Sequence, residues 1–242
     1  MKVSAILAAA MMTVSSAAVS SAATLSFLGA PDLSVTSVPS NFGVLEDVNG
    51  AVSRSAGFFR DTNGVLVLPA NNDPFQFSVY NSTNDAGGLA LDGEAKVTFT
   101  YLGFEAGRAN SAASTTGFGG DSFVNKGAGA SEFGDQIKDV FSSNVTPFLL
   151  DFFFSSSNSV TTEVADNDGT IDGDLTLAFG PIFNGGTSVF AFLGDGSGDD
   201  DFDDIVVRID VAAVPIPAGL PLLVGGMGML GYMGWRRKKA TS

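Results

Sequence analysis

The chain has 242 residues, 26 acidic and 12 basic, with 30 glycines, 21 phenylalanines and neither cysteine nor histidine. Without His and Cys there is no Ser-His-Asp or Cys-His catalysis, no His-ligated zinc or haem, and no disulfide framework. An apolar content of 45% is too high for a disordered chain, and the Gly, Ser, Asn and Asp between the apolar runs predict short strands joined by turns.

The charge is unevenly placed. Every acidic residue lies between Asp32 and Asp210, whereas Lys2 and the cluster Arg236, Arg237, Lys238 and Lys239 sit at the ends. The body between them carries 7 basic and 26 acidic groups, a net of −19. Such a body repels phosphate backbones, so nucleic acid is not an expected partner, and it attracts divalent cations.

At the N-terminus Lys2 precedes the apolar stretch Ile6–Val14, which is followed by small residues up to Ala23. That order predicts a secretory signal peptide over residues 1–23, cut after Ala23. Residues 24–213 then form one β-rich extracytoplasmic domain.

Within the body, Val65–Leu68 follows the turn pair Asn63-Gly64 and predicts a hairpin strand. Phe75, Phe77 and Val79 alternate with polar neighbours, as do Val97, Phe99 and Tyr101. Ala109–Gly120 is rich in Ser, Ala and Gly and reads as a mobile loop. Ile137, Val140 and Phe141 line one side of a short helix expected over 135–141. The nearly continuous apolar run Phe148–Phe154 reads as one central buried strand. Leu175, Leu177 and Phe179 share a face, Val189–Leu193 is another short run, and Ile205, Val207, Ile209 and Val211 stand opposite Arg208 and Asp210. Many short strands divided by Gly, Asn and Asp turns favour an all-β domain, a β-sandwich or jelly roll.

Two acidic loops stand out. In Asp195–Asp204, six carboxylates crowd into ten residues, with Gly196 and Gly198 among them. Hard divalent cations take six to eight oxygen ligands, so Asp195, Asp199, Asp201, Asp203 and Asp204 are candidate Ca2+ ligands. The alternative is a solvated acidic turn. Asp166–Asp174 has Ile171 where an EF-hand loop needs Gly at its sixth position, which leaves a looser calcium loop or a turn between strands.

At the C-terminus, Val214, Pro215, Ile216, Pro217 and Ala218 precede an uncharged stretch of 17 residues, Gly219 to Trp235. Arg236, Arg237, Lys238 and Lys239 follow at once. Seventeen residues is near the lower limit for spanning a bilayer, about 17–25, and cations on one side alone fit the positive-inside rule. A single transmembrane helix over 219–235 is expected, with the body outside the cytoplasm. The tripartite tail, residues 214–239, resembles the VPLPA-CTERM sorting signal, a relative of PEP-CTERM tails, with Ile216 in place of the usual Leu. Thr98–Gly107 and Gly194–Arg208 are similar to segments of PEP-CTERM-type exported proteins.

The resemblance implies an exosortase-type membrane protease as partner. It also implies an inner-membrane-tethered precursor and delivery to the cell surface or extracellular space. With no catalytic motif, the expected product is a non-enzymatic surface or matrix protein, in contact with exopolysaccharide. The alternative is a secreted polysaccharide-acting hydrolase or glycan-binding protein. Against it, the only Trp is Trp235 in the tail, and the body has just Tyr80 and Tyr101, where sugar platforms favour Trp and Tyr rings.

Overall fold

The computed structural model describes residues 23–31, 33–35, 45–47, 49–51, 59–60, 66–67, 76–81, 87–114, 120–157, 160–196, 202–214 and 227–230. The chain divides by its contacts into two units, Ala22–Val214 and the two ends Met1–Ser21 with Pro215–Ser242. In the second unit only Met227–Leu230 is described, as one helical turn with exposed side chains. Among the described residues no helix is long and apolar enough to cross a membrane. Almost all of the expected signal peptide 1–23, and most of the expected helix 219–235, lie outside them.

The unit Ala22–Val214 is all-β, and the strand pairings among its described residues are antiparallel. It opens with β1 (Leu25–Leu28), β2 (Leu33–Val35), β3 (Glu46–Asp47), β4 (Gly50–Ala51), β5 (Phe59–Arg60) and β6 (Leu66–Val67). Then come β7 (Phe77–Tyr80), β8 (Gly88–Leu91), β9 (Ala95–Gly103), β10 (Ala109–Ala113), β11 (Phe123–Val124) and β12 (Gln136–Phe141). It closes with β13 (Phe148–Leu149), β14 (Phe153–Ser157), β15 (Thr162–Asp166), β16 (Thr176–Phe179), β17 (Ser188–Gly194) and β18 (Ile205–Ala213). The largest sheet has the order β12-β9-β18-β17-β16-β7-β2. A four-stranded sheet runs β11-β10-β14-β15, a three-stranded one β1-β8-β13, and β3-β4 and β5-β6 form ribbons.

Period-two alternation decides what enters the core. Val97, Phe99 and Tyr101 of β9 join Ile205, Val207, Ile209 and Val211 of β18 in one hydrophobic cluster. Leu89 and Leu91 of β8, Ala112 of β10 and Phe154 of β14 enter the same cluster from the smaller sheets. Each large apolar side chain so buried contributes roughly 1.5–3 kcal/mol. The middle of the seven-stranded sheet is buried on its other face too, where Phe190, Phe192, Phe77, Val79 and Val206 cluster with Leu45 and Phe202. Burial on both faces explains why Val189–Leu193 reads as unbroken apolar sequence.

Three expectations are corrected. Residues 136–141 form the strand β12, not a helix. It pairs with β9 from Gln136↔Thr100 to Phe141↔Ala95. Ile137 and Phe141 turn inward, while Val140, the residue that suggested a helical stripe, is 50% exposed. Lys138 and Asp139 put charge on this edge strand, which discourages further pairing.

Ala109–Gly120 is not a loop throughout. Its first five residues are β10, the strand between β11 and β14. Small side chains suit it because Asn110 and Ala112 face the packed interior.

The Phe148–Phe154 run is not one strand. It splits into β13, paired with β8, and β14, paired with β10 and β15. Leu150 and Phe152 in between are buried without strand pairing of their own. The run is apolar but for Asp151 because it passes through the interior between two sheets. Its carbonyls are satisfied from outside: Asn167 Nδ2 donates to Leu150 O at 2.7 Å, and Asn167 N–H donates to Phe152 O at 3.1 Å.

Candidate functional site

Of the expected calcium ligands, Asp195, Asp203 and Asp204 are described, and Asp199 and Asp201 lie outside the described residues. Val214 is described at the end of the body. Pro215, Ile216, Pro217 and Ala218, and the basic stop Arg236, Arg237, Lys238 and Lys239, lie outside.

A solvated turn would leave its carboxylates in water. Asp195, Asp203 and Asp204 are instead 0%, 0% and 3% exposed. Asp195 directly follows β17 and Asp204 directly precedes β18, so the strands that carry them are held in the sheet up to the loop's base. The Asp195 N–H donates to Asp204 Oδ2 at 2.6 Å, and the Asp204 N–H donates to Leu193 O at 3.1 Å. The Asp203 carbonyl accepts from the Glu105 N–H at 2.7 Å.

The four-stranded sheet supplies the partners of this loop. Arg108 NH1 donates to Asp195 O at 2.8 Å, and its Nε lies 3.9 Å from Asp195 Oδ1. The same guanidinium is 3.6 Å from Glu163 Oε2. Asn110 Nδ2 reaches Asp195 Oδ2 and Asp204 O, each at 3.3 Å. Asn125 holds the start of β10 in place: its Oδ1 accepts from the Asn110 N–H at 2.7 Å and its Nδ2 donates to Arg108 O at 3.1 Å.

The register shows why these groups meet. Asn110 pairs with Ser156 across β10 and β14, and Ser156 pairs with Glu163 across β14 and β15. Residues directly opposite in an antiparallel pair share a face. One step along the same face stand Ala112, Phe154 and Ala165, in the hydrophobic cluster. The inward face of this sheet therefore changes from apolar to polar within one strand period. Ser156 is 1% exposed and Asn110 2%. Among the described residues, neither Ser156 Oγ nor Asn110 Oδ1 has a hydrogen-bond partner.

The second acidic loop lies against the first. Gly196 has φ +68°, and a Cβ there would stand 2.5 Å from Asp174 O. Within Asp166–Asp174, carboxylates accept from their own loop's amides. The Asp168 N–H donates to Asp166 Oδ1 at 3.1 Å and the Thr170 N–H to Asp168 Oδ1 at 2.9 Å. Burial pushes the Asp166 carboxyl above its usual range, the Asp168 N–H opposes that shift, and the charges of Asp168 and Asp151 add to it.

Asn167, at the turn, is fully buried. Its Oδ1 accepts from the Leu89 N–H, and its Nδ2 donates to Leu89 O, both at 2.7 Å. Sequence reasoning missed Arg108, Asn110, Ser156 and Asn167. For Asn110 and Ser156 the readable signal was a polar residue at an inward strand position, and reading 109–120 as a loop concealed it for Asn110.

Among the described residues, no group of three or more His, Cys, Asp or Glu side chains is arranged to hold a metal. The polar cluster is one of mixed donors: carboxylates, amides, a hydroxyl and main-chain carbonyls around one guanidinium. No family model matches this chain, and neither a curated protein nor a solved structure matches it.

Proposed function

We propose that this chain is an exported, non-enzymatic cell-surface or extracellular-matrix protein. In this reading a β-sandwich body is made with a signal peptide over residues 1–23. It is tethered in the inner membrane and sorted by the tail 214–239, with an exosortase-type protease as processing partner. The observation that carries it is where the fold begins and ends. The compact unit runs from Ala22 to Val214, β1 starts at Leu25 and β18 stops at Ala213. These bounds fall within two residues of the junctions expected at 23/24 and 213/214, which supports the reading. The sandwich reading rests on the single cluster into which the large sheet and both smaller sheets send their inward side chains. The acidic loop holds a structural Ca2+, supported by the burial of Asp195, Asp203 and Asp204 and by the affinity of oxygen-rich anionic sites for hard cations.

Two experiments test the export reading. N-terminal sequencing of the surface form is expected to begin at Thr24. Recovery of Met1 on surface material would overturn it. The Thr24 amide and hydroxyl donate to Asp92 at 2.5 and 2.7 Å, so a cut before Thr24 leaves the new terminus beside a carboxylate.

Replacing Arg236, Arg237, Lys238 and Lys239 together by Ser is expected to slow processing and reduce retention of the precursor several-fold, because the charge that fixes the tail end on the cytoplasmic side is gone. Pulse-chase size and timing identical to wild type would remove the sorting signal from the proposal.

A further inference from the structure

We infer that the calcium site is built from both layers of the body, with Asn110 Oδ1 and Ser156 Oγ of the four-stranded sheet as neutral ligands to a Ca2+ held against the carboxylate of Asp195. This rests on the calcium reading above and changes its geometry. The cation sits in the interior, at the base of the acidic loop, and joins β10 and β14 to the β17–β18 connection.

The carboxylates alone do not carry this. The independent observation is a pair of neutral oxygens on the facing sheet. Asn110 and Ser156 are each at least 98% buried, they stand directly opposite one another in register, and Asn110 Oδ1 and Ser156 Oγ lack hydrogen-bond partners among the described residues. A buried polar atom left unsatisfied costs about 1–3 kcal/mol. Two side by side, on a face that could carry Ala and Val instead, are a standing cost unless something binds there.

What binds has to suit the neighbours. The Asn110 side chain is aimed at the acidic loop, with Nδ2 3.3 Å from both Asp195 Oδ2 and Asp204 O. That is longer than an ordinary N–H···O bond of about 2.7–3.2 Å. Asp195 is fully buried, and Arg108 is split between it and Glu163 at 3.9 and 3.6 Å. A cation that prefers hard oxygen donors satisfies an amide oxygen, a hydroxyl oxygen and a buried carboxylate at once. Ca2+ accepts such a mixture at flexible angles, whereas Mg2+ demands a regular octahedron and keeps several of its waters. Thiolate- and imidazole-seeking metals find no Cys or His anywhere in the chain.

Single substitutions separate a ligand from a structural side chain, because the two roles predict opposite signs. The mature exported protein is melted in excess chelator and in millimolar CaCl2, and Ca2+ affinity is measured by calorimetric titration. Wild type is expected to melt several degrees higher with calcium. Ser156→Ala is expected to weaken Ca2+ binding about tenfold while leaving the chelator melting temperature equal or higher, since it deletes an unsatisfied hydroxyl. Asn110→Asp is expected to lower the chelator melting temperature by adding a buried charge near Asp195. In calcium it should recover to wild-type level or above.

If Ser156→Ala and Asn110→Asp each show the same calcium-induced shift as wild type, and Asp199→Asn with Asp201→Asn abolishes it, the cation belongs to the loop alone. The two-layer site is then wrong and the loop reading stands. If wild type neither binds Ca2+ nor gains stability from it, both fall together.

Discussion

Replacing Asn167 with Ala is expected to destabilise the body by about 2–6 kcal/mol, the sum for two buried main-chain groups left without partners at about 1–3 kcal/mol each. Those groups are the Leu89 N–H and the Leu150 carbonyl, each bonded to the Asn167 amide at 2.7 Å. The Leu89 carbonyl loses a second donor and keeps the Leu150 N–H at 2.9 Å. The loop lies directly on β8: a Cβ on Gly88 would stand 2.1 Å from Asn167 O.

Asn167→Asp makes the argument sharper. It keeps the shape and turns two donated hydrogen bonds into a carboxylate facing two carbonyl oxygens. Burial and those oxygens raise the folded-state pKa of the new carboxyl above its unfolded value of about 3.9. The protonated acid can donate, so this variant is expected to be most stable below about pH 4. It should lose stability as pH rises through the raised folded-state pKa. Urea denaturation of wild type and both variants at pH 4 and pH 7 reads this directly. A pH-independent loss for Asn167→Asp, or a loss below 1 kcal/mol for Asn167→Ala, would show that the amide is not the clasp between β8 and the crossing segment.

Phe152→Ala is the second large effect, expected at about 3–5 kcal/mol. Phe152 is 2% exposed on the segment that passes between the sheets. Its ring centroid is 5.8 Å from that of Phe99, 5.9 Å from Phe154 and 6.1 Å from Phe179. These three belong to β9, β14 and β16, so one side chain fills space shared by strands of both sheets. For a body of this size about 1 kcal/mol corresponds to roughly 2–4 °C in melting temperature, which places the Ala variant roughly 6–20 °C below wild type. Phe152→Leu retains most of the volume and should lose less than half as much. Equal losses for the two would mean that the cavity relaxes completely and that Phe152 is not the shared packing element.

The strands of the large sheet were legible because alternation survives wherever one face is buried, as along Val97, Phe99 and Tyr101. The all-β class followed from the same pattern and from the turn residues between runs. What could not be read was pairing. Ile137, Val140 and Phe141 satisfy a helical stripe as well as an edge strand, and only the partner β9, some forty residues earlier, decides between them.

The Phe148–Phe154 run looked like one strand because hydrophobicity reports burial, not which sheet a residue belongs to. The acidic loop was found by charge density, yet its partners Arg108, Asn110 and Ser156 were not. Each is unremarkable among its sequence neighbours and acquires meaning only when the register sets Asn110 beside Ser156 and Asp195 above them. Two loops read as separate calcium candidates turned out to touch, at Gly196 and Asp174, for the same reason.

The direction of β18 sets how far the acidic loop stands from the body's C-terminal end. The chain leaves the body just past Ala213, at one end of this strand, while Asp204 stands at the other. Both ends of the body issue from the same pole: the Leu25 N–H donates to Gly186 O at 2.7 Å and the Val211 N–H to Thr187 O at 2.8 Å. Nine residues of strand at about 3.4 Å each put the acidic pole roughly 30 Å from the point of attachment. At physiological ionic strength the Debye length is about 8 Å. Within the body, the Asp204 end of β18 and the Val214 end are therefore several screening lengths apart. At that separation the charge of these carboxylates is screened from the point of attachment.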